Sequence, residues 1–257
     1  MSRTRFQSVF ITGASSGLGR GLALHYAREG ATVHAAARRQ AELESLSQDG
    51  AGAGVPGRIV PVVLDVADEE ALVAALAAAE AAAGGALDLV IANAGISDPT
   101  SARKMDWRKV KRVLDVNVSA AAVTVAAALP AMVARGRGTV VGVSSLAGFR
   151  GFPGNAAYCA SKAALHVFME SIRVDLRRTG VRALTVYPGF VKTEMTAKNR
   201  FPMPFLMELD DAVKRMADGI ARGEPAISFP LPARALVRLI SAIPRSLYEP
   251  VAARGGR

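Results

Sequence analysis

Apolar residues along this chain come in two alternating registers. Short continuous runs, many of them β-branched, lie at 8–12, 32–36, 59–64, 87–92, 139–144, 182–187 and 226–229. Such runs predict strands buried on both faces. Between them, at 17–29, 40–48, 68–83, 105–134 and 155–178, apolar positions recur at helical spacing. The punctuation agrees: Gly30, the pair Gly84-Gly85 and Pro188-Gly189 stand where elements should stop, and Asp68, Glu69 and Glu70 open a helix as the macrodipole prefers. A Gly/Ala-rich loop is expected at 49–57. Strands alternating with helices predict an α/β protein: a single doubly wound Rossmann-type domain over 1–257, with a parallel sheet of about seven strands and helices on both faces. No linker or internal repeat interrupts it.

Composition narrows the class. Hydrophobic residues make up 51%, as in a globular chain. The single cysteine, Cys159, excludes an intrachain disulfide and fits a reducing compartment, so a cytoplasmic location is expected. His25, His34 and His166 are scattered, so no metal site is expected. Residues 1–5 lead directly into an apolar strand without a signal-peptide core, and no segment spans a bilayer's length without charges or breakers. The net charge of +10 invites a nucleic-acid reading. Basic residues alternate with acids and alanines, however. The densest run, from Arg103 to Arg112, lacks the interleaved aromatics of a base-stacking surface. Solvated helix faces are the better account, and no nucleic-acid partner is expected.

Chemistry concentrates at two places. Thr12-Gly13-Ala14-Ser15-Ser16-Gly17-Leu18-Gly19 joins the first strand to the first helix with G-x-x-x-G-x-G spacing. Glycines there permit a tight turn and let a pyrophosphate approach the helix N-terminus. The second strand ends in Ala37-Arg38-Arg39 with no acid. A carboxylate at this place would bind a ribose 2′-hydroxyl, whereas arginine accommodates a 2′-phosphate. NADP(H) is therefore expected over NAD(H), with Arg38 as the phosphate ligand. The second place is Tyr158-Cys159-Ala160-Ser161-Lys162, which puts a phenol and an ammonium one helical turn apart. A free tyrosine titrates near about 10, and a neighbouring cation favours its phenolate. Cys159 reads as a small packing residue and His166 as a packed one.

Together these motifs resemble the short-chain dehydrogenase/reductase family over residues 6 to about 195. The resemblance implies a cofactor site of Gly13, Ser15, Ser16, Gly17, Leu18 and Gly19 in the turn, Arg38 and Arg39, and the adenine-side Asp65 and Val66. It adds Asn93, Ala94 and Gly95, then Pro188, Gly189, Val191 and Thr193 toward the nicotinamide. It implies a catalytic set of Ser145, Tyr158, Lys162 and Asn117, with Ser145 thirteen residues before the tyrosine. Tyr158 and Lys162 also touch the cofactor. In the implied mechanism Tyr158 transfers the proton, Ser145 stabilises the carbonyl oxygen, Lys162 lowers the tyrosine pKa, and Asn117 holds a relay water. None of these positions departs from the family pattern.

The implied substrate is a small carbonyl or alcohol. Phe149, Phe152, Met195, Phe201, Met203, Phe205, Leu206 and Met207 form either an adaptable apolar wall for a lipophilic substrate or ordinary packing. Pro202 and Pro204 keep this covering loop, about 194–210, from regular helix. Farther on, about 232–249, Leu236, Leu239, Ile240, Ile243 and Leu247 share helical spacing, with Arg234, Arg238 and Arg245 on another face. This segment could meet a membrane, a partner subunit or the substrate pocket; peripheral membrane contact is not the favoured choice. The resemblance implies a homodimer or homotetramer. A non-catalytic NADPH-binding regulator on the same fold is the alternative, and the intact Ser145, Tyr158 and Lys162 oppose it. A methyltransferase on a related sheet is opposed by the glycine spacing and the Tyr/Lys pair.

Overall fold

The computed structural model describes residues 6–197, 199 and 202–255. The N-terminal residues 1–5 and Phe201, both considered above, lie outside the described residues. Seven strands form one parallel sheet: β1 Ser8–Thr12, β2 Thr32–Ala37, β3 Arg58–Val63, β4 Leu89–Ala92, β5 Gly138–Val143, β6 Val181–Pro188 and β7 Ala226–Phe229. Their order across the sheet is β3-β2-β1-β4-β5-β6-β7. The chain therefore winds outward from β1 to β3, then returns to β4 beside β1 and winds the other way. Between β1 and β4 the connections leave in opposite directions, which opens a crevice at the strands' carboxyl ends.

Helices α1 Gly17–Arg28, α2 Gln40–Gly52, α3 Glu69–Ala82, α4 Trp107–Leu114, α5 Ala120–Arg135 and α6 Ala156–Asp175 precede the short α7 Glu194–Ala197. After it come α8 Leu209–Arg222, α9 Leu231–Ala242 and α10 Arg245–Gly255. Alternate strand residues feed two cores. Ile11, Val33 and Ile91 meet Leu22 and Tyr26 of α1, Leu43 of α2 and Met216 of α8. Phe10, Val90 and Val140 meet Leu76 of α3, Val125 of α5 and Leu165 of α6. This division is why the strands read as continuous apolar runs.

Three elements differ from the sequence expectation. The predicted loop at 49–57 begins late, because α2 continues to Gly52. Gly50 is buried there, and a Cβ on it would lie 3.2 Å from Ile59 Cδ1, so glycine serves packing against β3 rather than termination. The predicted helix 105–134 starts at Trp107, and a π turn at Asp115–Ser119 joins α4 to α5. By length and composition the run Trp107–Arg135 could cross a membrane. Its apolarity is accounted for by the sheet, where Ala121, Val125, Ala128 and Met132 are buried. The C-terminal segment is two helices, interrupted at Ile243-Pro244, where proline has no N–H to continue the ladder.

Candidate active site

The crevice between β1 and β4 is held by one cluster of hydrogen bonds. Thr12 Oγ1 accepts from the backbone N–H groups of Asn93 and Ala94, both at 3.0 Å. The Asn93 amide returns, donating to the carbonyls of Thr12 at 2.9 Å and Gly13 at 3.2 Å. Gly13 has φ +69°, and a Cβ on it would lie 2.7 Å from Ala94 Cα. A Cβ on Gly19 would lie 2.3 Å from the Gly13 carbonyl oxygen. Two glycine positions are thus dictated by backbone contact. Ser16 at the N-cap makes no side-chain capping bond, and the first turn of α1 holds no acid. The N–H groups at this end of α1 therefore suit a phosphate, and the turn has the shape a pyrophosphate needs. Leu18 packs into the core beneath.

Around this cradle stand the other nucleotide-site residues. Arg39 donates to Ser15 Oγ at 3.2 and 3.1 Å and pairs with Glu194 at 3.0 Å. Arg38, the expected phosphate ligand, lies 3.6 Å from Asp65. Val66 is buried beside them. Both arginine pairs are solvent-exposed, and such pairs are weak enough to be exchanged for a phosphate. The 188–193 segment closes the other side. Gly189 N–H donates to the Phe229 carbonyl at 2.8 Å, and Val191 is buried and bridges to Met207. Thr193 Cγ2 lies 3.2 Å from where a Gly17 Cβ would be, which places this segment over the glycine turn.

The four catalytic candidates come together from three elements. Ser145 follows β5 in extended conformation; its Oγ accepts from Ala147 N–H at 3.1 Å and donates to the Pro188 carbonyl at 3.3 Å. Tyr158 and Lys162 lie on α6, with the Lys162 Nζ 5.8 Å from the Tyr158 ring centroid. Lys162 is 4% exposed and donates to the Val143 carbonyl at 2.8 Å. Asn117 is wholly buried in the π turn. It accepts from Ile96 N–H at 2.8 Å and donates to the Ile96 carbonyl and to Ser161 Oγ, each at 3.0 Å. Gly95 leaves the common space open: a Cβ there would meet Lys162 Nζ at 3.3 Å and Asn117 Oδ1 at 3.4 Å.

Burial dominates the electrostatics. It raises the Tyr158 phenol above its ordinary value, and a hydrogen bond from Ser145 pulls it partly back. It lowers the Lys162 ammonium to about 8. The expected lowering of the tyrosine by its lysine is therefore not the governing effect here; the ammonium is turned to a carbonyl, and desolvation of the phenolate is larger.

Ser161 and Arg150 carry contacts that local periodicity does not show, while Ser144, Cys159 and His166 stand beside the group. Ser161 donates to the Tyr158 carbonyl at 2.7 Å and so links Asn117 to the tyrosine's helix. Ser144 donates to the Lys162 carbonyl at 2.7 Å, holding α6 against β5. Cys159 is buried, as its packing role requires. His166 lies between the rings of Phe149 and Tyr187, at 5.0 and 5.2 Å, and is no part of the catalytic group. It lines a cavity of about 190 Å³ between α6, β6, β7 and α9, which neither Tyr158 nor Lys162 borders. Arg150 is a further anchor. It donates to the carbonyls of Ser241 at 3.4 Å and Ile243 at 3.2 Å and stacks 4.2 Å from the Tyr248 ring, whose hydroxyl donates to Gly151 at 2.7 Å. Only the position of 241–248 in space reveals it.

Two outcomes follow. Gly19→Ala should lose nucleotide affinity while leaving the sheet assembled, as fluorescence titration and circular dichroism will show; unchanged affinity would contradict the cradle. The folded-state pKa of Lys162 lies below that of the unfolded chain, so the unfolded chain holds the extra proton between the two values. The stability of wild type relative to Lys162→Met should then be level below about 8 and rise as the pH climbs toward the ordinary lysine value of 10.5. Urea unfolding across that window measures it.

Comparison with known proteins agrees with this geometry. The profile of the short chain dehydrogenase family matches residues 7–203. An uncharacterized oxidoreductase of Myxococcus xanthus is 52% identical over 254 residues, covering 99% of each chain. Among solved structures, a short-chain dehydrogenase from Sphingobium yanoikuyae in complex with NADPH is 26% identical with TM-score 0.81, covering 93% of this chain and 97% of its own. A short chain dehydrogenase from Burkholderia cenocepacia in complex with NADP is 25% identical with TM-score 0.80, covering 96% and 98%. Matched by the family profile from its first strand to the loop beyond its sixth, and end to end by a relative half identical to it, the chain belongs to the short chain dehydrogenase family of oxidoreductases.

Proposed function

We propose that the protein interconverts a carbonyl and a secondary alcohol with NADP(H), by proton transfer through Tyr158. The observation that carries this reading is the convergence of Lys162 Nζ and Asn117 Oδ1 on the space left by Gly95, beside Tyr158 and Ser145. A desolvated lysine beside a half-buried phenol is the kind of pair that marks a functional site. The nucleotide preference is supported by Arg38 and Arg39 at the end of β2, with no acid there, and by the NADPH and NADP held by the two structural neighbours.

The residues divide the work as follows. Bound in the cradle, the nicotinamide supplies or accepts the hydride. Tyr158 Oη–H donates its proton to the carbonyl oxygen during reduction and takes it back during oxidation. Ser145 Oγ–H hydrogen-bonds that same oxygen and stabilises the charge developing on it. Lys162, as an ammonium, favours the phenolate left behind, and Asn117 provides the polar group beyond it through which the proton is replaced. Burial keeps the phenol protonated at rest, which suits it to act as the acid in reduction.

The substrate reading is a lipophilic carbonyl or alcohol. Phe149, Met195, Phe205 and Leu206, on the loops after Ser145 and after Thr193, are exposed and support it. A homo-oligomer is supported by Val167 and Val174, each 63% exposed on the outer side of α6. A cytoplasmic location remains part of this proposal, resting on the lone cysteine.

Tyr158→Phe should fold and bind NADPH normally while losing about 100-fold or more of carbonyl-dependent NADPH oxidation. Retained turnover would overturn the catalytic assignment. Arg38→Ala combined with Arg39→Ala should weaken NADPH by roughly 10- to 100-fold, the worth of lost charge-assisted hydrogen bonds, and leave NADH nearly unaffected. Equal losses for both nucleotides would refute the 2′-phosphate role.

A further inference from the structure

We propose that the outward face of α9 and α10 docks on an anionic lipid bilayer. This inference is independent of the substrate and of the chemistry above. One side of α9 is committed to the protein: Ala233 and Val237 pack on Leu146 and Tyr187. The other side carries exposed apolar residues that no described residue covers. Leu231 is 68% exposed, Leu236 40% and Leu239 66%; on α10, Leu247 is 63% and Val251 68% exposed. Five exposed apolar side chains within 25 residues make a contact surface, as the smaller pair Val167 and Val174 does on α6.

The charges beside it choose the occupant. Between 231 and 251 the cations are Arg234, Arg238 and Arg245, and the single acid is Glu249. None of the three arginines makes an ion pair among the described residues. Some cations on other helices do, as in Arg20–Asp49, Lys111–Asp115 and Lys214–Asp218. A second copy would bring the same arginines to the contact and be repelled. An anionic headgroup layer presents the opposite charge, and an apolar helix face flanked by unpaired arginines is the chemistry of interfacial insertion. The helices are also rigidly placed. Arg150 ties the end of α9 to the loop after Ser145, Ser241 Oγ donates to the Phe149 carbonyl at 3.3 Å, and Tyr248 is clasped to Gly151. Docking would therefore set the catalytic loop close to the lipid surface, without changing the fold.

The test is flotation of the full-length protein with vesicles of phosphatidylcholine alone or containing 30% phosphatidylglycerol by composition, at low and high salt, alongside light scattering for subunit number. Wild type should float with the anionic vesicles at least about tenfold more than with neutral ones, and high salt should reduce the difference. Leu239→Glu with Leu247→Glu should abolish flotation, and Arg238→Glu with Arg245→Glu should remove the anionic preference. Both variants should keep NADPH binding and the wild-type circular dichroism. Should the leucine variant fail to fold, the arginine variant decides. Absence of flotation by folded wild type, equal binding to both vesicles, or unaltered flotation of the arginine variant would overturn the proposal. So would a leucine variant that merely dissociates subunits of a protein that never floats, since the face would then belong to a second copy.

Discussion

Everything at the catalytic end of the sheet depends on the bond cluster that ties Thr12 to Asn93. β1 and β4 are adjacent only because the chain reverses its winding there, and their carboxyl ends would otherwise diverge into separate loops. Thr12 Oγ1 gathers two N–H groups of the 93–95 segment, and Asn93 returns to two carbonyls of the glycine turn. These are part-buried polar contacts at the end of a largely apolar sheet, so each is costly to leave unmade. The cluster fixes the cradle on one side and, through Gly95, the floor under Lys162 and Asn117 on the other. The nucleotide cradle and the proposed proton-transfer group thus share one anchor.

The second constraint is the burial of ionisable groups next to one another. Among the described residues Lys162 donates to the Val143 carbonyl, and Tyr158 is raised by loss of solvent. An isolated arrangement of this kind would be a liability in a protein core. Here Asn117, on a helix widened into a π turn, ties the Ile96 backbone to Ser161 on the same helix as Tyr158 and Lys162. Such turns add a residue without breaking the helix, and they are frequent at functional sites. Stability spent at this point is returned by the two apolar cores on either side of the sheet.

The C-terminal helices join the catalytic loop to the molecular surface. Leu146 and Tyr187 flank Ser145 and Pro188 in the chain, and they pack on Ala233 and Val237 of α9. The Arg150 clasp completes this contact. A segment whose composition alone suggested several uses packs, in space, on the back of the loop that holds Ser145.

Much was legible in the order of residues. Strand runs, glycine stops and helical spacing determined an α/β sheet, because burial on both faces leaves a continuous apolar signature. Tyr158 and Lys162 could be paired from sequence because four residues on a helix make a turn. The glycine turn could be placed because it sits between a strand and a helix. Other features depend on contacts between residues far apart in the chain. Gly50 looked like a loop residue and is a packing residue, since only the neighbouring β3 explains it. Arg38 and Arg39 are equivalent in sequence, yet only Arg39 reaches Ser15. The π turn at Asn117, the Thr12–Asn93 cluster and the Arg150 clasp are invisible to local periodicity. The sequence by itself determined the elements and the residue types at the reaction centre. The tertiary structure alone decided which of those residues meet, because desolvation and hydrogen-bond geometry depend on distances that the chain order does not contain.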